Sequence, residues 1–471
     1  MTKWLNTLVE SANTFLWSYI LIGLLILLGI YFTIKTNFVQ FRYFREMFRL
    51  LSEQTDSKNN EEGISSFQAF CISAASRIGT GNMAGVALAI AIGGPGSVFW
   101  MWIIALIGSS SSFVESTLGQ IYKVKDGDEF RGGPAYYIEK ALNKRWLGII
   151  FSILITISFG FVFNSVQSNT IASAFQQAFG IKTSITGLIL VVLSGLIIFG
   201  GVKRIANVSS VIVPIMALIY VGLSIFIMIK NITLIPEMIK VIFTNAFGIN
   251  QTIGGTLVGI MLQGIKRGLF SNEAGMGSVP NAAAAADTSH PVKQGLIQTL
   301  GVFTDTLLVC SATAFIILLS GIYKNPGNLT GIQLTQAAVS SQVGSWGNSF
   351  IAVSIFLFAF SSIIGNYYYG ETNIEFIKSN KSILFIYRII VLCMIMLGSI
   401  AELSTVWNMA DLFMGLMAVI NLVVIAKLGP IVYESLKDYT RQREEGKNPV
   451  FKASSIPGLK NVDFWKEEHK K

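Results

Sequence analysis

Two short runs hold the residues best equipped for chemistry: "SRIGTGNMAG" at 76–85 and "FSNEAGMGS" at 270–278. Each sets glycines beside amide, hydroxyl or carboxylate side chains in the middle of a long apolar stretch. Glycine accepts backbone angles closed to other residues, so a helix can unwind at either run. In hydrocarbon every unpaired amide or carbonyl is costly, and broken helix is tolerated only where it lines a polar cavity. There the carbonyls that end one half-helix attract a cation, and the amides that begin the next attract an anion. A zwitterion accompanied by a metal ion suits such ends. The amides of Thr80, Gly81 and Asn82 can bind a carboxylate; the carbonyls of Phe270 and Asn272 and the side chain of Glu273 can take an ammonium. Gly275 and Gly277 open the second run.

Between the runs, "FGFVFNSVQSNTIASAF" is an unusually polar apolar segment. Phe163 and Gln167 lie one helical turn apart, as do Asn164 and Ser168. Asn164 and Gln167 either line the cavity or hydrogen-bond between helices at roughly 1 kcal/mol each. The glycines of "GVALAIAIGG" and "LVVLSGLIIFGG" lack polar company and are read as packing residues.

The elements that must carry these runs follow from composition. The 471 residues are 52% hydrophobic and 13% charged, with mean hydropathy +0.59, values that place the chain in a bilayer. A net charge of +9 points to topology rather than nucleic acid, because the basic residues fall between apolar stretches and in the C-terminal segment. Cys71, Cys310 and Cys393 stand singly, without disulfide or zinc spacing. The first apolar run lacks a basic flank and a cleavage site and is read as a retained helix.

A crossing needs about 20 apolar residues. Windows occur near 14–34, 67–92, 96–120, 147–176, 184–200, 208–229, 251–286, 294–320, 345–370, 383–401 and 404–426, which predicts eleven helices. Connections rich in Lys and Arg alternate with nearly bare ones, so the basic side is cytoplasmic, the N-terminus outside and the C-terminus inside, in the cell membrane. The expected organisation is an extra N-terminal helix at 1–36, a cytoplasmic interfacial segment and loop at 37–66, and a first five-helix repeat at 67–229. An outer connection follows at 230–250, then a second repeat at 251–426 and a cytoplasmic tail at 427–471. Aromatics and arginines at helical spacing in "VQFRYFREMFRL" suit a helix lying on the inner leaflet; the tail is either such a segment or a solvated end. Two interrupted helices, each first in a set of five, point to an inverted-repeat transporter with its site at mid-bilayer.

"GTGNMAGVALAIAIGGPGSVFWMW", "RGGPAYYIEKAL" and "GLFSNEAGMGSVPNAAAAA" followed by "HPVKQGLIQTLGVFTDT" resemble the alanine/glycine:cation symporters, sodium-coupled amino-acid carriers, in consistent order from about 60 to 430. The resemblance implies an all-α LeuT-type fold of two intertwined five-helix repeats, preceded here by one more helix. It also implies a sodium site between the first and eighth core helices, matched by the carbonyls of Ala75, Ile78 and Phe358 and the hydroxyls of Ser361 and Ser362. The chemistry agrees, since sodium is a hard cation that prefers oxygen; serine pairs in membrane helices also occur as packing or back-bonded hydroxyls. Met276 stands where relatives have an aromatic and is expected to floor the pocket. Arg77 stands where relatives have a small residue. It argues against a second sodium and calls for a counter-charge, Glu115 or Asp411. Lys266 and Arg267 either meet substrate in the vestibule or pair with Glu273 or Asp305, and Trp407, Asn408 and Asp411 are candidates for an outer gate.

The expected function is sodium-coupled import of a small neutral amino acid, alanine or glycine, with glutamine or serine as alternative main substrates. No oligomer is required. A proton-coupled carrier built on Glu273 and an ion channel are the remaining alternatives, the second without a filter loop or acidic ring. His290 and His469 are the only histidines and no catalytic motif occurs, so an enzyme is not expected.

Overall fold

The computed structural model describes residues 2–53, 63–127, 129–248 and 256–465. Among them eight continuous helices are long and apolar enough to cross a bilayer: Asn6–Lys35, Ser97–Ile121, Arg145–Phe179, Arg204–Lys230, Pro291–Ser320, Trp346–Ile377, Lys381–Ile400 and Leu403–Glu444. Ser66–Arg77 and Gly81–Gly93 form a bent pair, meeting at 46°, that passes the same test as one span. The windows near 184–200 and 251–286 hold the shorter helix Thr183–Ile198 and a second interrupted pair, Leu257–Asn272 and Val279–Ala285. Residues 251–255 of the latter window lie outside the described residues.

Both interruptions have local causes. Ser65 and Gln68 form a capping box that starts Ser66–Arg77. That helix ends where Ile78 leaves helical angles, at φ −82° and ψ 85°. Thr256 caps Leu257–Asn272 by accepting from the Gly259 amide. Its end is sharper: Glu273 is left-handed at φ 56°, followed by Gly275 at 86° and Gly277 at 84°. A left-handed glutamate costs roughly 1–2 kcal/mol, so its side chain must be held by compensating contacts.

Helix Ser97–Ile121 is the spine of the molecule, packing along Pro291–Ser320 and both halves of the second interrupted pair. Arg145–Phe179 packs along Trp346–Ile377 and Lys381–Ile400. Small residues let the backbones approach: a Cβ on Gly264 would lie 2.4 Å from the Ser97 carbonyl oxygen. Outward-facing positions such as Leu218, Phe226 and Ile229 are exposed and apolar, as a lipid-facing surface requires. The N-terminal helix lies against Ser97–Ile121 and Leu403–Glu444, where Trp17 Nε1 donates to the Asp411 carbonyl at 3.1 Å. In the short helix Phe44–Leu51, Met47 and Leu50 are buried while Phe44 and Phe48 are exposed.

The described part of the C-terminal segment, to residue 465, departs from both expectations for it, lipid contact and free solvation. Helix Leu403–Glu444 runs beyond 426, and the chain then folds back onto the protein. The Phe451 amide donates to the Ser289 carbonyl at 2.9 Å and Trp465 Nε1 to the Gln120 carbonyl at 3.0 Å. The attraction is a buried cation: Lys123 Nζ sits 4.2 Å from the Phe130 ring centroid, 4.4 Å from Phe464 and 5.2 Å from Trp465, and donates to the Ala286 carbonyl at 2.9 Å. Burial pushes the Lys123 ammonium down to about 7, while the ring faces favour its charged form. At the same end, the Asp287 amide donates to the Ile64 carbonyl at 2.9 Å, tying the start of one interrupted helix to the end of the other.

Candidate functional site

The first break is closed by a neutral side chain. Gln167 Oε1 accepts from the Thr80 amide at 3.0 Å and from the Thr80 hydroxyl at 2.6 Å. It therefore occupies the start of half-helix Gly81–Gly93, where the amides point outward from the helix end. The Gly79 amide donates to Asn82 Oδ1 at 2.9 Å, and a Cβ on Gly79 would collide with Ser362 Oγ at 2.2 Å and approach Gln167 Oε1 at 2.9 Å. Gly79 thus touches the expected ion site on one side and Gln167 on the other.

That ion site is assembled from two helices. Ser362 Oγ donates to the Ala75 carbonyl at 2.7 Å and lies 3.1 Å from the Phe358 carbonyl; Ser361 Oγ donates to Phe358 at 2.8 Å. Ala75, Ile78, Phe358, Ser361 and Ser362 are all buried. Hydroxyls and carbonyls gathered in this way have the donor chemistry that a sodium ion takes in exchange for hydration water.

The second break is closed differently. Gly275 donates its amide to Glu115 Oε1 and Gly277 to Glu115 Oε2, both at 3.0 Å, and Asn421 Nδ2 adds a third bond at 2.6 Å. The same Asn421 amide group donates to the Gly275 carbonyl at 2.9 Å. A carboxylate of the protein fills this anion site. The Asn272 side-chain oxygen accepts from the Ala274 amide at 3.0 Å, and Met276 is fully buried in the apolar core. Glu273 turns toward the first interrupted helix, with Oε1 2.7 Å from Ser76 Oγ and Oε2 2.6 Å from Ser278 Oγ.

Asp305 joins the two breaks. Its Oδ1 accepts from Asn82 Nδ2 at 2.6 Å and Ser271 Oγ at 3.0 Å, and its Oδ2 from Thr306 Oγ1 at 2.8 Å. Arg77 contacts neither Glu115 nor Asp411 as a direct pair; it donates to the Gln298 carbonyl and to Ser112 Oγ, both at 3.1 Å. Its charge is still felt by Glu115, Glu273 and Asp305 together. Asp411 is taken instead by Arg267 at 2.6 Å and Lys266 at 3.3 Å, which corrects the pairing of those cations with Glu273 or Asp305. The reason is reach along one end of the bundle. Arg267 also covers the Trp407 ring at 4.5 Å, Trp407 packs tilted against Phe270 with ring centroids 4.6 Å apart, and Phe270 likewise against Phe163 at 4.8 Å. This aromatic and ionic stack roofs the first break, with the Phe270 ring 3.1 Å from a Cβ on Gly81. A cavity of about 220 Å³ lined by Asn169, Thr170, Ser173 and Thr330 begins less than one turn from Gln167 on the same helix.

The comparisons with known proteins match this architecture. The model of the sodium:alanine symporter family covers residues 2–453. The chain belongs to the sodium:alanine symporter family. The amino-acid carrier protein AlsT of Bacillus subtilis (strain 168) is 57% identical over 468 residues, 99% of each chain. The probable sodium/glutamine symporter GlnT of the same organism is 57% identical over 465 residues, covering 99% of this chain and 97% of its own. Among solved structures, MhsT in complex with L-phenylalanine superposes with a TM-score of 0.60 at 14% identity, over 81% of this chain and 93% of that one, which establishes the LeuT-type fold. Membership in a family of transporters agrees with the expectation that the chain is not an enzyme.

Of the site residues read from this symporter's sequence, Thr80, Gln167, Ala75, Phe358 and Ser362 are brought into direct register around Gly79. Asn164 bonds to Asn366, and Asn82 to Asp305. Asn421 went unnoticed in the sequence, where a single asparagine in an apolar helix carries no signal. Glu115 and Asp305 were visible only as candidate counter-charges, the first for Arg77 and the second for Lys266 and Arg267.

Proposed function

We propose that this membrane protein is a sodium-coupled importer of a small neutral amino acid, alanine or glycine, working by alternating access around the two breaks. The bond from Thr80 to Gln167 Oε1 carries the reading: a neutral oxygen there stands in for a substrate carboxylate, which displaces it and takes the amide and hydroxyl of Thr80 with the amides of Gly81 and Asn82. The ammonium faces the carbonyls of Phe270 and Asn272, with Gly275 and Met276 shaping the far wall. Sodium exchanges water for Ala75, Ile78, Phe358, Ser361 and Ser362. Its position one residue from Gly79 links ion and substrate through a backbone too crowded for a side chain. The Phe163–Phe270–Trp407 stack closes the outer side, with Asp411 locking it. The bias of Lys and Arg toward alternate connections supports an orientation with the N-terminus outside and the C-terminus in the cytoplasm.

One sodium moving down about 100 mV supplies roughly 2.3 kcal/mol, close to a fiftyfold substrate gradient. Uptake into proteoliposomes tests the reading. Ser361→Ala combined with Ser362→Ala should remove sodium stimulation while the protein still inserts; undiminished stimulation would refute the ion site. The relative GlnT, as similar to this chain as AlsT, supports glutamine as a second reading. The Phe270 ring packed on Gly81 favours the smaller side chain, and competition of alanine, glycine, serine and glutamine against labelled alanine decides between them.

A further inference from the structure

A row of hydrogen bonds crosses the core from helix Arg145–Phe179 to the second break, and its direction can be read from a fixed end. The Gly160 carbonyl only accepts, so the Asn164 atom 3.1 Å from it is the amide nitrogen. Asn164 Oδ1 then faces Asn366 at 3.1 Å and needs a donor, which makes that atom Nδ2. Asn366 presents its oxygen to Ser76 Oγ at 2.7 Å. Ser76 has a single hydroxyl proton, and Asn366 Oδ1 requires it. Yet Ser76 Oγ also lies 2.7 Å from Glu273 Oε1. Two oxygens at that distance share a proton; with the Ser76 proton given to Asn366, and Tyr369 meeting Ser76 from another side, Glu273 is the group among the described residues left to supply it.

We propose that Glu273 is a proton-binding site, a neutral carboxylic acid in this closed conformation whose Oε1–H donates to Ser76. The other oxygen accepts from Ser278, so the acid is held between both interrupted helices. These contacts also anchor the left-handed backbone at Glu273. The surrounding charges agree. Arg77 and Asp305 act on Glu273 electrostatically, the Tyr369 hydroxyl lies within its field, and Glu115 already accepts from three N–H donors, two in the break and one on helix Leu403–Glu444. With Glu273 neutral, Arg77 leaves Glu115 and Asp305 with one net negative charge, which a single sodium ion cancels. With Glu273 ionised, the same core would need a second cation. Opening either broken helix parts Glu273 from Ser76, admits water and releases the proton, so closure and protonation are linked. This deepens the site proposed above and relies on that function only for the transport measurement.

Difference infrared spectroscopy between wild type and Glu273→Gln should show the carbonyl stretch of a buried carboxylic acid in the wild type at neutral pH, sensitive to D2O, and its loss in the variant. Absence of the band, or its survival in Glu273→Gln, overturns the proposal whether or not the protein transports amino acids. Where Glu273→Gln does not fold, the wild-type band itself serves, and Ser76→Ala should make it vanish at a lower pH; an unmoved transition overturns the relay. In functional protein, sodium-dependent substrate affinity should fall roughly tenfold per pH unit above the pH at which Glu273 ionises. The same fall in Glu273→Gln overturns the link to closure, while failure of all sodium-dependent binding at any pH would instead count against the proposed function.

Discussion

The two breaks look alike in sequence and are closed by opposite means. At 79–82 the freed donors of a half-helix meet Gln167, a neutral side chain with one accepting oxygen. At 275–277 the freed donors meet Glu115, a full carboxylate fixed by a third bond from Asn421. The difference separates binding from architecture. A neutral cap can be exchanged for a charged guest, because ionised acceptors make hydrogen bonds about twice as strong as neutral ones. A resident carboxylate leaves nothing for a guest to gain. One break is therefore suited to a substrate carboxylate, and the other to holding the bundle together.

The strongest way to break this comparison is to empty the second site. Glu115→Ala strands two backbone amides and an asparagine in the core and should destabilise the protein by on the order of 3 kcal/mol or more. Thermal unfolding in detergent measures it, and a near-wild-type midpoint would mean that the break closes without Glu115. Next in size is the swap that makes the first break resemble the second. Gln167→Glu places a carboxylate against Thr80 and should weaken substrate affinity roughly 100-fold, about 2.7 kcal/mol, with folding retained; unchanged affinity in a binding assay would remove Thr80 from the carboxylate site. Gly79→Ala drives a methyl group against Ser362 Oγ and should cost about 1–3 kcal/mol in packing, read as loss of sodium stimulation together with substrate affinity. If only one of the two falls, ion and substrate are not joined through Gly79. The smallest effect is expected away from both breaks. Trp465→Ala removes one ring from the Lys123 cage and the bond to Gln120, and should release the C-terminal segment at a cost of about 1 kcal/mol, seen as faster limited proteolysis with uptake little changed.

Much of this was legible along the chain. Apolar windows located the spans, and glycine clusters with polar neighbours located the interruptions, because both signals are local: one is length against bilayer thickness, the other is backbone freedom. The family resemblance named Ser362 and Ala75 for one ion site, and the structure sets the Ser362 hydroxyl 2.7 Å from the Ala75 carbonyl. Charge partnerships did not follow. Arg77 called for Glu115 or Asp411, and Lys266 and Arg267 for Glu273 or Asp305, with nothing along the chain to choose between them. The C-terminal segment read as polar, although Phe451, Ile456, Val462 and Trp465 bury themselves against the protein.

By itself the sequence determined that the chain crosses the membrane many times, that two of its helices break, and that the breaks carry oxygen and amide groups. Those properties belong to residues and their neighbours along the chain. Only the tertiary structure decided which break is held shut by a carboxylate, which cations face Asp411, and that Glu273 of one break meets Ser76 of the other. Hydrogen bonds and ion pairs act over a few ångströms between residues hundreds of positions apart, and their direction is set by the whole network rather than by any one member.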